Sequence, residues 1–190
     1  MGGGQILLLG NQELGMNYAS NTYPFRQDST FLYYTGLDRA GLAAIIDADS
    51  GETTIFGDEL TMDDIVWTGE MPTIAQIAEK AGIEHTKPSG ALGPMLDKSA
   101  HFLPPYRHDN IIKISELLSL AITAVKLRAS TDLVKAVIAQ RSIKTAEEVS
   151  EIELAVRITN DIHVAAMLAA RPGAREADVH AQRQHPHGGP

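Results

Sequence analysis

The sequence contains no cysteine among its 190 residues. This absence excludes disulfide bonds, cysteine-ligated zinc, iron–sulfur clusters and thiol nucleophiles from the chain. Because disulfides persist only in oxidising compartments, a sequence without cysteine fits a reducing one. We therefore expect a cytoplasmic location.

The chain also lacks a basic surplus and a long apolar run. Its 16 Lys and Arg residues are outnumbered by 24 Asp and Glu residues, for a formal charge of −8. Since nucleic-acid affinity comes largely from clustered basic residues, we expect no nucleic-acid partner. The opening stretch MGGGQILLLGNQE has no basic segment, and its apolar run is too short for a signal peptide or a bilayer span. We expect no membrane partner.

What the sequence does contain is a pattern of alternating short strands and helices. The apolar run Ile6–Leu9 predicts a buried strand, and residues 42–56 predict a β-hairpin with its turn at Asp49-Ser50-Gly51. Residues 42–46 are apolar on both sides of the pleat, which favours a strand inside a sheet covered on both faces. Residues 72–82 carry the spacing and end signals of a short amphipathic helix. The predicted fold class is α/β, a mixed sheet flanked by helices.

The most regular pattern comes near the end of the sequence. Thr145 is followed three residues later by Glu148, which is typical of a capping box, and apolar residues then recur at helical spacing to Ala170. A helix of this length, about 37 Å at 1.5 Å per residue, is suited to leaving one domain and entering another. We place a domain boundary near Lys144. Too few residues follow it to enclose a separate core, so the helix is expected to lack a partner surface.

Few residues carry a signal for chemistry. His163, His180, His185 and His187 are the candidate metal ligands, but a solvated tail is the better interpretation of HPHGGP. If Arg26 is buried it needs a planar acceptor, and Asp28 is near enough in sequence to provide one. For Trp67, in the stretch DDIVWTGEMP, core packing is favoured by residue type alone. No serine-protease arrangement or zinc-protease helix motif is present.

Four stretches of the sequence resemble the N-terminal part of an aminopeptidase P, an Xaa-Pro aminopeptidase of the creatinase and prolidase superfamily. They are YPFRQDSTFLYYTGL, IFGDELTMDDIVWTG, HFLPPYR and the segment from RSIKTAEEVSEIELAV to ADVHA. The resemblance runs from Ile6 to about Ala181. It implies that residues 1–144 form a ribonuclease-H-like N-terminal domain and that residues 145–181 are a linker helix and the first helices of a truncated pita-bread metallopeptidase domain. Residues 182–190 are expected to be a disordered or non-native tail.

The resemblance also implies an activity for the full-length protein. Members of the family hydrolyse Xaa-Pro peptide bonds with two divalent ions, usually manganese, held by two Asp, one His and two Glu in the second domain. The resemblance places all five ligands outside this sequence, so we expect no catalytic residue, no metal ion and no turnover in this fragment. Xaa-Pro peptides are the expected substrates of the full-length protein.

For this fragment the resemblance implies a supporting role in a homo-oligomer. Trp67 aligns with a family tryptophan that approaches the substrate cleft of a neighbouring subunit, and it is our candidate substrate-binding residue. Arg26, Gln27 and Asp28 match the family motif as structural or interface groups. The alternative is a stand-alone, non-catalytic oligomerisation or peptide-binding module, and a third interpretation is metal chelation by the histidine-rich tail.

Overall fold

The computed structural model describes the backbone of residues 3–184 and the side chains of residues 3–181. The chain divides into two compact units, one ending at Val137 and the other beginning at Ile138. This division falls within a helix, whereas the predicted boundary near Lys144 lies in the turn that follows it. The predicted domain limits therefore stay a prediction.

A five-stranded mixed sheet forms the centre of the first unit. The strands are β1 (Gln5–Leu9), β2 (Ala43–Asp47), β3 (Thr53–Phe56), β4 (His85–Lys87) and β5 (His101–Phe102). Their spatial order is β4-β3-β2-β1-β5, in which β1 pairs antiparallel with β2 and parallel with β5, and β3 pairs antiparallel with β2 and parallel with β4. The central position of β2 agrees with the apolar run that predicted a strand covered on both faces.

Helices cover both faces of this sheet, so the predicted α/β class is confirmed. The helices of this part are α1 (Ser29–Thr35), α2 (Met62–Thr68), α3 (Ile74–Lys80), α4 (Leu92–Met95), α5 (His108–Leu118), α6 (Ile122–Arg128) and α7 (Thr131–Ser142), with a 3-10 turn at Ser89–Ala91. On one face of the sheet, α4, α5 and α6 pack with Leu7, Leu9 and Ile45, and on the other, α1 and α3 pack with Leu8 and Ala44. The alternation follows from the two-residue period of a strand.

The predicted hairpin is present between β2 and β3. The Asp47 carboxylate accepts hydrogen bonds from the backbone N–H groups of Asp49 and Ser50, at 3.0 and 2.8 Å, and closes the turn. Gly51 adopts a left-handed φ of 77°, which a residue with a side chain rarely adopts. The bonds that the Ser50 backbone N–H and hydroxyl donate to Asp47 are the main causes of its lowered pKa, because they stabilise its charged form.

The second unit contains the predicted long helix, α8 (Ala146–Ala169), and α9 (Glu176–Gln184). Thr145 caps α8 through the predicted capping box, in which its side chain accepts from the Glu148 N–H and the Glu148 carboxylate accepts from the Thr145 N–H. No residue of α8 is buried. Residues 185–190 of the predicted tail lie outside the described residues.

None of the helices between residues 3 and 184 combines the length and the apolar character that a membrane crossing requires.

Candidate functional site

The structure brings two of the four sequence stretches together at one cleft in the first unit. Residues 23–30, which precede and begin α1, form one side, Tyr106 and Arg107 form another, and the loop after β1 supplies Asn11 and Gln12. The cleft has a volume of about 580 Å³. The loop after β1 meets the Tyr106 segment because β1 lies beside β5, whose continuation leads to Tyr106. Residues 23–30 join them through the hydrogen bonds that Asn11 donates to Arg26 and Gln27.

Gln27 fixes the floor of this cleft. Its side chain is only 4% exposed, and its Oε1 accepts hydrogen bonds from the backbone N–H groups of Asn11, at 2.7 Å, and Asp28, at 3.0 Å. Its Nε2 donates to the backbone carbonyls of Arg39, at 2.8 Å, and Leu37, at 3.3 Å. One buried amide therefore joins three loops that would otherwise leave polar backbone groups unpaired.

Asn11 extends this network to the other side of the cleft. Its Nδ2 donates to the Arg26 carbonyl oxygen at 2.9 Å and to the Tyr106 hydroxyl oxygen at 3.3 Å. Asn11 is itself buried at 4% exposure. Because both partners line the cleft, Asn11 sets the distance between its two walls.

Gly10 permits the close approach of these segments. Its N–H donates to the Leu42 carbonyl oxygen at 2.9 Å. A Cβ at this position would lie 2.8 Å from that oxygen and 3.0 Å from the Gln27 Oε1. Since both neighbours are themselves fixed by hydrogen bonds, a side chain here has no room.

Asp28 has a separate task at the start of α1. Its Oδ1 accepts from the backbone N–H groups of Thr30 and Phe31, both at 2.9 Å, and so caps the helix. Phe31 is then buried between α1 and the sheet, and Gly36 ends the helix with a left-handed φ of 68°. The stretch YPFRQDSTFLYYTGL is therefore a cleft wall followed by a short capped helix.

Arg107 and Asp109 form an ion pair at the cleft rim. The Arg107 Nη2 lies 2.8 Å from the Asp109 Oδ2, and its Nε donates to the same carboxylate. Arg107 also donates to the Gln12 carbonyl oxygen at 3.2 Å. The bond to Arg107 is the main cause of the lowered pKa of Asp109, and the same bond raises the pKa of Arg107.

Arg26 is exposed and lines the cleft. Among the residues that the structure describes, no carboxylate lies within ion-pair distance of its guanidinium. Asp28 was the expected partner only if Arg26 was buried, and Arg26 is exposed. Of the predicted trio, Gln27 and Asp28 hold the local frame, while the Arg26 side chain is left facing solvent.

Trp67 lies near the end of α2 and is 87% exposed. Core packing, which residue type alone favours, is therefore wrong. No residue of α2 is buried, and Met62 and Val66 on the same helix are also strongly exposed. A capping box between Thr61 and Asp64 holds the helix in place of core contacts.

The described residues do not fit a metal centre. Among them, no three His, Asp or Glu side chains come together in a way that could hold an ion. His163 and His180 are exposed on α8 and α9, and His185 and His187 lie outside the described part of the chain.

Sequence reasoning missed Asn11, Tyr106 and Arg107 as parts of the cleft. The stretch HFLPPYR was noted as part of the resemblance, but nothing local in it indicates contact with residues 95 positions earlier. The available signal was the β1 strand itself, because a polar Asn two residues after a buried strand lies at the strand's end, where loops converge.

Comparison with known sequences gives relatives along nearly the whole chain. A Metarhizium acridum protein named probable Xaa-Pro aminopeptidase pepP is 24% identical over 180 residues, which cover 94% of this chain and 35% of that protein. The Rattus norvegicus Xaa-Pro dipeptidase is 22% identical over 189 residues, covering 96% of this chain and 38% of the relative. The chain thus spans little more than a third of the length of these relatives.

Solved structures share the fold. The Pseudomonas aeruginosa aminopeptidase PepP superposes with a TM-score of 0.76 at 18% identity, over 95% of this chain and 44% of that one. A zinc-substituted Escherichia coli aminopeptidase P in complex with product gives a TM-score of 0.75 at 20% identity, with the same coverage. A family model described as aminopeptidase P, N-terminal domain, matches residues 1–102. Because that match covers more than half of the 190 residues, the chain belongs to the aminopeptidase P N-terminal domain family.

Proposed function

We propose that this chain is the N-terminal region of a cytoplasmic, metal-dependent Xaa-Pro aminopeptidase. In this proposal the region supports assembly of a homo-oligomer and shapes the substrate cleft, and hydrolysis takes place elsewhere in the polypeptide. The names of the relatives support the peptidase assignment, and the share of each that the chain spans, 35% and 38%, leaves room for a catalytic domain.

The proposed chemistry uses two divalent ions, manganese in the first instance, to act on Xaa-Pro peptides. A metal-activated hydroxide of this kind requires several carboxylate and imidazole ligands on rigid elements. The described residues bring no such set together. We therefore assign none of them to metal binding and derive no catalytic step from them.

The observation that carries the supporting role is the exposure of Trp67. At 87% exposure, this large side chain presents most of its apolar surface to water, and tryptophan is enriched among residues that dominate binding between proteins. We propose that α2 presents Trp67 to the substrate cleft of a neighbouring subunit. Gln27 and Asp28 hold the surrounding loops and the start of α1 through their hydrogen bonds. Arg26 is exposed and has no ion-pair partner among residues 3–181, so it is available for a contact.

Fluorescence tests this role directly, because Trp67 is the only tryptophan in the chain. If α2 docks onto a second copy, the emission maximum moves to shorter wavelength as protein concentration rises and the mass measured by light scattering increases in parallel. Trp67→Ala should weaken the association by about tenfold or more. Leu127→Ala, at an apolar position that is 88% exposed, is the matched control and should leave it unchanged. A monomer of unchanged emission across the concentration range contradicts the assembly role.

A stand-alone peptide-binding or oligomerisation module is the second candidate, and the cleft of about 580 Å³ within the first unit favours it. The encoding locus separates the two. A reading frame that continues past residue 190 with Asp, His and Glu ligands supports the peptidase. A stop codon there in intact genomic DNA, together with a soluble product, supports the module.

A further inference from the structure

The cleft beside Asn11 is built to keep its shape. Its floor is held by the four hydrogen bonds of the buried Gln27 amide, and its two walls are joined by the bonds from Asn11 to Arg26 and Tyr106. All of its lining residues belong to the first unit. A site preorganised in this way loses little conformational entropy when a ligand enters.

The charged side chains that line the cleft differ in whether they have a partner of opposite charge or a hydrogen bond. The Arg107 guanidinium is occupied by Asp109, and one oxygen of Asp28 is occupied by the N–H groups at the start of α1. The Arg26 guanidinium, in contrast, has no carboxylate within ion-pair distance among residues 3–181. Within the described part of the chain, the planar Arg26 cation at the cleft wall therefore has no anionic partner.

The remaining wall is largely aromatic. Tyr23 and Tyr106 are 51% and 64% exposed, and Phe25 is half-buried beside them. Such rings offer flat apolar surface with little side-chain entropy to lose on binding. A ligand that satisfies both features carries one carboxylate next to an apolar group.

We infer that this cleft binds the C-terminal carboxylate of a short peptide that ends in an apolar residue, with Arg26 pairing to the carboxylate and Tyr23 and Tyr106 packing on the last side chain. A planar carboxylate matches the two-donor fork of a single Arg. A phosphate group, with its higher charge, is better matched by several free cations than by one. The volume of about 580 Å³ suits a ligand of two or three residues. The site names a ligand class for the peptide-binding candidate above and needs no peptidase activity.

Calorimetric titration of the full 190-residue chain tests the inference, with the tripeptide Gly-Ala-Phe as the free acid and as the C-terminal amide. The free acid should bind. The amide should bind at least about tenfold more weakly, because it cannot form an ion pair with Arg26. Arg26→Gln should remove this preference. Arg128→Gln is the matched control, since Arg128 lies at the end of α6 and does not line the cleft.

Nuclear magnetic resonance locates the binding. The side-chain amide signals of Asn11 and Gln27 should shift with the free acid and remain unchanged with acetate alone at the same concentration. Equal affinity for acid and amide, or shifts confined to residues away from the cleft, would overturn the inference. So would inorganic phosphate that binds as tightly as the peptide, since the site would then be a general anion site. The comparison of acid with amide uses the unmodified protein, so it stands even if Arg26→Gln does not fold.

Discussion

At the residue scale, the buried Gln27 amide is the group on which the local frame depends most. Its oxygen and nitrogen serve four backbone groups in three loops. Loss of a buried partner leaves donors and acceptors unpaired, at a cost of about 1 to 3 kcal/mol for each group that water cannot reach.

We predict that Gln27→Ala lowers the free energy of unfolding by about 2 to 4 kcal/mol, measured by urea denaturation. Gln12→Ala is the control, because Gln12 lies beside the same cleft but is only half-buried and its side chain is not part of this network. Equal losses for the two variants would contradict the role assigned to Gln27.

A second residue-scale prediction concerns pH. The bond to Arg107 lowers the pKa of Asp109 below its ordinary value of 3.8. A folded-state pKa that is depressed contributes stability that is complete above the unfolded pKa and disappears as pH falls through the folded one. Wild type should therefore exceed Asp109→Asn in stability near neutral pH, and the difference should shrink below about pH 4.

Urea midpoints of both proteins, measured from neutral pH down to about pH 3, give this difference. Asp38→Asn replaces an exposed carboxylate that forms no ion pair among the described residues, so its difference from wild type should be small throughout. A difference for Asp109→Asn that stays constant across the range would show that the ion pair does not act on stability.

Three adjacent residues show where sequence reasoning stops at this scale. Arg26, Gln27 and Asp28 were predicted together as structural or interface groups, but each meets a different environment. Gln27 is buried, Asp28 caps a helix and Arg26 is exposed. The sequence identifies the stretch as structural. Which of its residues is buried depends on contacts with Asn11 and Arg39, which are distant along the chain.

At the element scale, the start of α8 rests on the Thr145 capping box. We predict that Thr145→Ala lowers stability of this helix by about 1 kcal/mol, because it leaves an N–H at the helix start without its acceptor. The measurement is amide hydrogen exchange, which should become faster at Glu148. Thr159→Ala, in the middle of the same helix, removes a hydroxyl that bonds back to the Ala155 carbonyl and should not speed exchange. Unchanged exchange at Glu148 would contradict the capping role.

The end of β1 gives a second prediction for an element. Gly10→Ala should lower the free energy of unfolding by about 1 to 3 kcal/mol, because the new Cβ would lie 2.8 Å from the Leu42 carbonyl oxygen. Gly90→Ala, where a Cβ meets nothing within 4 Å, is the matched control and should be neutral or slightly stabilising. Thermal or urea unfolding compares the two, and equal effects would contradict the close approach at Gly10.

Periodicity predicted the elements whose apolar residues recur at a regular spacing and missed those without such a pattern. The apolar runs of β1 and β2, and the spacing of α3 and α8, were sufficient to predict these elements. Helix α1 was missed because STFLYYT has little helix propensity, and it forms through the Asp28 cap and the burial of Phe31. Helices α2 and α7 bury no residue and one residue, respectively, so neither shows an apolar stripe.

At the scale of the whole molecule, the second unit presents unusual apolar surface. Helix α8 has 24 residues and none is buried. The large apolar side chains exposed on it are Val149, Ile152, Leu154, Val156, Ile158, Val164, Met167 and Leu168. Helices of this composition pack against other surfaces in stable proteins. Under the proposed function, that surface is the rest of a longer polypeptide.

The proposed function gives this chain a supporting role in a dimetal peptidase, and the residues that the structure describes bring no set of metal ligands together. The most direct test is to titrate the purified 190-residue protein with manganese by calorimetry and to assay hydrolysis of an Xaa-Pro peptide in the same solution. We predict no stoichiometric binding of two ions and no release of the residue before proline above the rate in buffer. Two manganese ions bound at a shared site, with turnover that a chelator abolishes, would contradict the account.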